Sequence, residues 1–273
     1  MSTLTLTLMS APRIALDLSA LQPAKLLALK PTALRRLRLP AGKRQVALAD
    51  LFEIAGDDAR SLRLVGLNAA CHRVGMGMTA GKIEIKGAVG DELGREMRGG
   101  EIRVSGNAGI GVGQGMRGGF VQIGGAAGDS LGGVTPGATH GMNGGVIVVV
   151  GNVGTRCGER MRRGLIAVGG NAGEYLGDRM LAGTIAVLGR VESHAGFALR
   201  RGTLLLAHAP VMRAAGYQDC GQFELGIVRL MRHYLADFHP AMARRLKIFE
   251  TARRWCGDMT YGGKGEILIA AGR

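Results

Sequence analysis

Aromatic residues are scarce in this 273-residue chain: Phe, Trp and Tyr together make up 4%, with a single tryptophan. A core of this size must then be built from small and β-branched side chains. Base-stacking platforms for single-stranded nucleic acid are excluded on the same ground. The four cysteines, at 71, 157, 220 and 256, form no CxxC pair, which weighs against a zinc ribbon or an iron–sulfur site and fits a reduced, cytoplasmic setting. No apolar run approaches the eighteen or so residues of a membrane span. The opening MSTLTLTLMSAPR has no basic segment followed by a hydrophobic one, so no secretory signal is expected. Seven prolines against forty-seven glycines exclude collagen, and 47% hydrophobic content excludes disorder. Charge is the one excess besides glycine: 35 basic against 21 acidic residues give a net +14, which calls for a polyanionic partner.

The glycines fall on a period. Segments beginning at Ile83, Ile102, Val121, Ile147, Ile166, Ile185 and Leu204 align, and every step is 19 residues except 121 to 147, which is 26. One repeat therefore carries a seven-residue insertion. Each unit reads Gly-x-x-Met-x-x-Gly-x-Ile-x-Val-x-Gly, starting at Gly75, Gly94, Gly113, Thr139, Gly158, Gly177 and Gly196; the Thr139 copy lacks its first glycine and the last ends at His208. GxxGxxxG is complete five times, from Gly87-Gly90-Gly94 to Gly170-Gly173-Gly177.

A unit with one period-2 strand and glycine corners cannot bury its own apolar face, whereas stacked copies can. The predicted fold is all-β: a β-solenoid of about seven 19-residue coils over residues 62–208, an N-terminal β-rich cap (1–61) and a C-terminal helical cap with a final strand (209–273). Ile83 and its equivalents form one inward column, Ile85 and its equivalents a second, Leu93 to Ala195 a third and the methionines a fourth. Cys157 falls in the third and is predicted buried and inert. Asn107, Asn152 and Asn171 share a column, expected as left-handed corners or an amide ladder. In the C-terminal segment, Ile227, Leu230, Met231, Tyr234, Leu235 and Phe238 are spaced as one helix face. Pro240 opens a second helix whose apolar positions include Met242, Leu246, Phe249 and Cys256. The outward strand positions run Glu84, Arg103, Gln122, then Val148, Ala167, Ala186. The later ones are expected to be covered, by the C-terminal helices or by a partner.

Candidate chemistry is sparse. GNAGIGVGQG lacks the strand-to-long-helix context of a phosphate loop. The six histidines have no metal-ligand spacing. Glu159 and Asp178 stack on adjacent repeats at the separation of a retaining glycosidase pair, but Arg160 and Arg179 stack beside them, and a charge ladder explains the same residues. After each methionine stand Thr79, Arg98, Arg117, Asn143, Arg162, Leu181 and Arg200. Four of these are arginines on one ridge, reinforced by Arg163 and Arg201. Stacked like charges repel unless neighbouring acids neutralise them or an anionic chain or acidic partner surface lies on them.

The seven Gly-x-x-Met-x-x-Gly units with recurring GxxGxxxG resemble the C subunit of the formylmethanofuran dehydrogenase family. The same pattern marks the C-terminal β-helix of the large glutamate synthase subunit. The resemblance covers residues 75–208 directly. With 28 Arg against 7 Lys, a GC-rich bacterial source fits, and with it the formyltransferase/hydrolase complex of methylotrophs rather than the tungsten or molybdenum dehydrogenase. The resemblance implies a scaffold without catalytic residues, in a hetero-oligomer with A, B and D type subunits. Those partners move a formyl group from formyl-tetrahydromethanopterin to a methanofuran-type carrier and hydrolyse it to formate. Carriers of this type bear a polyglutamate tail, and Arg98, Arg117, Arg162, Arg163, Arg200 and Arg201 are the candidates to hold such a tail or an acidic partner. No metal, nucleic-acid or membrane role is expected. A stand-alone β-helix that binds or acts on an acidic polymer is the reading from a different class.

Overall fold

A computed structural model describes residues 2–212 and 216–271; the outermost positions of the predicted caps, 1 and 272–273, lie outside them. The chain is mostly β, with a 13-stranded sheet and a separate four-stranded one. The 19-residue period sets the register of the large sheet. Ile83 stands beside Ile102, Ile102 beside Val121, Val121 beside Ile147, Ile147 beside Ile166, Ile166 beside Ile185 and Ile185 beside Leu204, all in parallel pairing. The insertion leaves the register between Val121 and Ile147 intact, because it loops out at one corner: the Met142 N–H bonds back to the Gly132 carbonyl at 2.8 Å. Repeats also bond away from the strands. Gly113 N–H reaches Leu93 O at 2.8 Å and Gly132 N–H reaches Val112 O at 2.7 Å. Single-residue parallel bridges link Val89, Ala108, Ala127, Val153, Ala172 and Val191.

Both chain ends join this stack. Thr3–Leu8 lies parallel beside Asp58–Leu67, with Leu4 against Leu62 and Leu6 against Leu64, and Leu62 in turn faces Ile83. At the other end Lys264–Ala270 lies parallel beside Arg201–Leu206, with Leu204 against Ile267. One buried column of branched aliphatics therefore runs from Leu4 to Ile267. The Asp58–Leu67 strand runs through the 61/62 division drawn from the sequence. Phe52–Ala55 closes one edge and Gln218–Glu224 the other, each in antiparallel pairing.

The Met-x-x-Gly signature has a packing cause. Every methionine of the repeat is fully buried. A Cβ built on Gly119 would stand 2.7 Å from Met97 Cε and 2.8 Å from the Gly100 carbonyl oxygen, and the residue sits at φ +90°. Only glycine fits both the left-handed backbone and the methyl packed beneath it. The same methionine methyl to glycine contact recurs at Gly100, Gly145, Gly164, Gly183 and Gly202, and Leu199 replaces methionine beneath Gly265. The asparagines do not occupy left-handed corners. Outside glycine, positive φ falls instead to residues of two other columns, among them Glu92, Ser130, Arg156, Tyr175 and His194 in one and Glu96, Arg160, Arg179 and Ala198 in the other. The side chains of Asn107, Asn152 and Asn171 instead accept backbone N–H groups of the next repeat at 2.8–2.9 Å.

The apolar outward face is covered by the chain itself. Val148, Ala167, Ala186 and Leu205 are buried in a second core with Val228, Leu235, Met242, Leu246 and Phe249. Phe238 stacks on Phe120 at 5.0 Å, and Arg103 lies over the Phe120 ring at 5.1 Å, so the helical segment reaches across to the earlier repeats. Two expectations for this segment are corrected. The Gly226–Ala236 helix buries Val228 and Leu235, while Ile227, Leu230 and Tyr234 are 67%, 69% and 52% exposed. The predicted face is therefore divided: Leu235 is buried and Met231 and Phe238 pack on the second core, while Ile227, Leu230 and Tyr234 face solvent. The second helix, Pro240–Arg245, is short, opened by Pro240 and by the His239 imidazole accepting Met242 N–H at 3.0 Å. A 3₁₀ turn follows, and Cys256 lies in the Thr251–Gly257 strand rather than on the helix.

Candidate functional site

The arginine ridge is built by the same turns that hold the methionines. Arg98 N–H bonds to Met78 O at 2.8 Å, Arg117 to Met97 at 2.7 Å, Arg162 to Met142 at 2.8 Å and Arg200 to Met180 at 2.9 Å. Each methionine is anchored in the core, so the residue after it is fixed at the surface one repeat from its neighbour. Arg98, Arg117, Arg162, Arg163, Arg200 and Arg201 are all exposed. Asn143 and Leu181 hold the same backbone bond within the row, to Met116 and Met161. Arg163 and Arg201 open their strands, and Arg201 stands in register with the exposed Lys264, a basic neighbour that the period alone could not reveal.

None of the six arginines has an ion pair among the described residues. Glu96, the acid that lines a cavity with Arg117 and Arg162, stands 3.8 Å from Arg95 instead, and other acids hold other arginines. Glu84 pairs with Arg63 at 2.8 Å, Glu92 with Arg73 at 2.7 Å and Arg95 at 2.8 Å, Glu101 with Arg103, and Glu250 with Arg232.

The inserted loop gives the ridge a wall. Arg117 and Arg162 line a cavity of about 400 Å³ together with Thr135, Thr139, His140 and Asn143. The Asn143 side-chain oxygen is buried there without a partner among the described residues. The insertion was legible as a break in period; that it folds over the ridge was not. A larger cavity of about 770 Å³ lies on the other side of the same loop, lined by Asp17, His72, Arg73, Asp91 and Glu92. Its polar groups satisfy one another: Arg73 bridges Asp17 and Glu92, and His72 Nδ1 accepts Asp91 N–H at 3.0 Å.

Glu159 and Asp178 are neighbours, as expected, but Asp178 is only 4% exposed and one of its oxygens is buried without a partner. Burial raises its pKa, with Arg179 opposing and Glu159 reinforcing the shift. A carboxyl this closed leaves no room for a sugar beside it. Among the described residues no cluster of three or more His, Cys, Asp or Glu side chains is placed to hold a metal ion. No helix among them is long and apolar enough to cross a membrane.

No protein-family model and no curated protein matches the chain. Among solved structures it matches a chain of the formyltransferase/hydrolase complex (FhcABCD) from Methylorubrum extorquens, determined in complex with methylofuran. The two share 36% identity at a TM-score of 0.90, over 98% of this chain and 100% of that one. With that identity sustained from end to end, the chain belongs to the family of the formyltransferase/hydrolase complex.

Proposed function

We propose that the chain is the C subunit of a formyltransferase/hydrolase complex and acts there as a non-catalytic, cytoplasmic scaffold. In this reading residues 62–208 wind as a β-solenoid of seven 19-residue coils, with 1–61 and 209–273 as caps. The observation that carries it is the end-to-end match to a chain of that complex. The other subunits, of A, B and D type, transfer the formyl group from formyl-tetrahydromethanopterin to a methanofuran-type carrier and release formate. The matched structure is a hydrolase complex, which favours this reading over the tungsten or molybdenum dehydrogenase. The enclosed Asp178 disfavours a stand-alone enzyme acting on an acidic polymer. All four cysteines are unpaired, in keeping with a reducing compartment.

The ridge of Arg98, Arg117, Arg162 and Arg200, reinforced by Arg163 and Arg201, serves in this reading to hold the carrier's glutamate tail or an acidic partner. Five steps separate Arg98 from Arg200, or ~24 Å at sheet spacing. An extended tail would cover that distance with about seven residues at ~3.3 Å each. Each exposed contact contributes on the order of 1 kcal/mol or less, so retention depends on several acting together and weakens with salt. The exposed ridge, the wall of the inserted loop and the methylofuran held by the matched complex all favour it. The test of the scaffold reading is purification of the tagged chain from the cells that make it. Three larger subunits are expected to come with it, and a chain that elutes alone contradicts the reading.

A further inference from the structure

The face left over by the C-terminal helix is a groove. Ile227, Leu230 and Tyr234 stand at i, i+3 and i+7 on its exposed side. They form one wall of a cavity of about 560 Å³, whose floor includes Leu165, Leu205 and Leu268 from the sheet. A second chamber of about 630 Å³ shares Gly145 and Tyr234 with it and runs on to Phe238 and Arg103. From Gly145 to Leu268 the floor crosses four strand steps, ~19 Å. The helix wall, eleven residues long, spans ~16 Å. The sheet-side rim is basic. Gly164 lines the groove directly after the exposed Arg163, and beyond the Thr184–Val187 strand the registered and exposed pair Arg201 and Lys264 opens the two strands that carry Thr203, Leu205, Glu266 and Leu268 of the floor. No ion pair holds these three side chains among the described residues. Of the acids that line the two chambers, Glu266 is committed to Thr203 at 2.6 Å and Arg254 at 2.9 Å and Glu101 to Arg103, while Asp237 stands at the far end beside Phe238.

We propose that this groove receives an acidic amphipathic helix of about three turns from another subunit. Its apolar residues pack between the Gly226–Ala236 helix and the sheet, and its carboxylates face Arg163, Arg201 and Lys264. Two features select that occupant. An apolar channel ~16–19 Å long between a helix and the sheet matches the receiving side of helix-in-groove recognition. An unpaired cationic rim selects acidic flanks and speeds encounter with them. The inference rests on the proposed place of the chain in a hetero-oligomer, and it assigns the groove a protein segment rather than the carrier.

The test uses the assembled complex. A photoreactive residue replaces Leu230, the purified complex is irradiated, and the joined peptides are read by mass spectrometry. The expected product links this position to another subunit, in a segment with apolar residues at helical spacing and flanking Asp or Glu. A product joined to a second copy of this chain, to a segment without carboxylates, or to nothing overturns the proposal. In parallel, Ile227→Glu/Leu230→Glu is expected to weaken association at least 10-fold. The isolated chain's melting temperature should hold, since both side chains are exposed. Arg201→Gln is expected to weaken association at low salt and to converge with the unaltered chain at high salt. Unchanged association in the double variant sinks the groove while leaving the scaffold reading intact; a chain that never associates sinks the scaffold reading itself.

Discussion

The Met97 side chain ends 2.7 Å from where a Cβ on Gly119 would stand, one repeat further along the sheet. That contact couples two positions 22 residues apart and explains why methionine and glycine recur together. Gly119→Ala is expected to destabilise by about 2–4 kcal/mol, from the left-handed backbone and the crowding combined. Gly137→Ala, at φ +80° but with nothing within 4 Å, carries only the backbone part, about 1–2 kcal/mol. Urea unfolding of the two variants checks the difference. Equal losses contradict the packing explanation.

Asp178 gives the stability a pH dependence of known sign. Its native pKa is raised above the ordinary 3.8, chiefly by burial. The folded state then holds that proton more tightly than the unfolded state, so the residue lowers stability as pH rises from 3.8 through its native pKa. Asp178→Asn is expected to melt higher than the unaltered protein at pH 7. The two should converge below the ordinary carboxylate value. A variant that melts lower at pH 7 contradicts the assignment.

The cysteines separate by burial. Cys157 is enclosed in the core, and burial pushes its thiol up to about 12. Cys220 is exposed. A maleimide reagent at neutral pH is expected to label Cys220 in the native protein and Cys157 only after unfolding. Native labelling of Cys157 contradicts the packing of the third column.

The ridge makes a salt-dependent prediction. With Arg98, Arg117, Arg162 and Arg200 replaced by glutamine, carrier retention is expected to fall, most at low ionic strength. Mass spectrometry of the purified complex across a salt series reads it. Retention unchanged at every salt concentration leaves the ridge as a solvated face.

What the sequence revealed follows from its repetition. A strict period makes equivalent residues neighbours, so the Ile83 to Leu204 column, the methionine stack and the positions of the arginines could be placed by counting. The non-repeated contributions could not. Thr3–Leu8 and Lys264–Ala270 enter the same column through pairings across long stretches of chain, and no period announces them. The C-terminal helix is apolar on two sides, Val228 with Leu235 and Ile227 with Leu230, and spacing alone cannot say which side meets the sheet. The inserted loop was visible as seven extra residues, but its fold over Arg117 and Arg162 depends on backbone bonds such as Gly141 N–H to Arg160 O at 2.9 Å.

The scaffold role is tested most directly by leaving this chain out. The remaining subunits, produced together with and without it, would be assayed for association and for conversion of the formyl carrier to formate. The expected result is that the partners fail to assemble and to couple the two steps without it, that adding it back restores both, and that the chain alone is inactive. Full assembly and coupled activity without it, or formyl transfer or hydrolysis by the isolated chain, contradicts a non-catalytic scaffold.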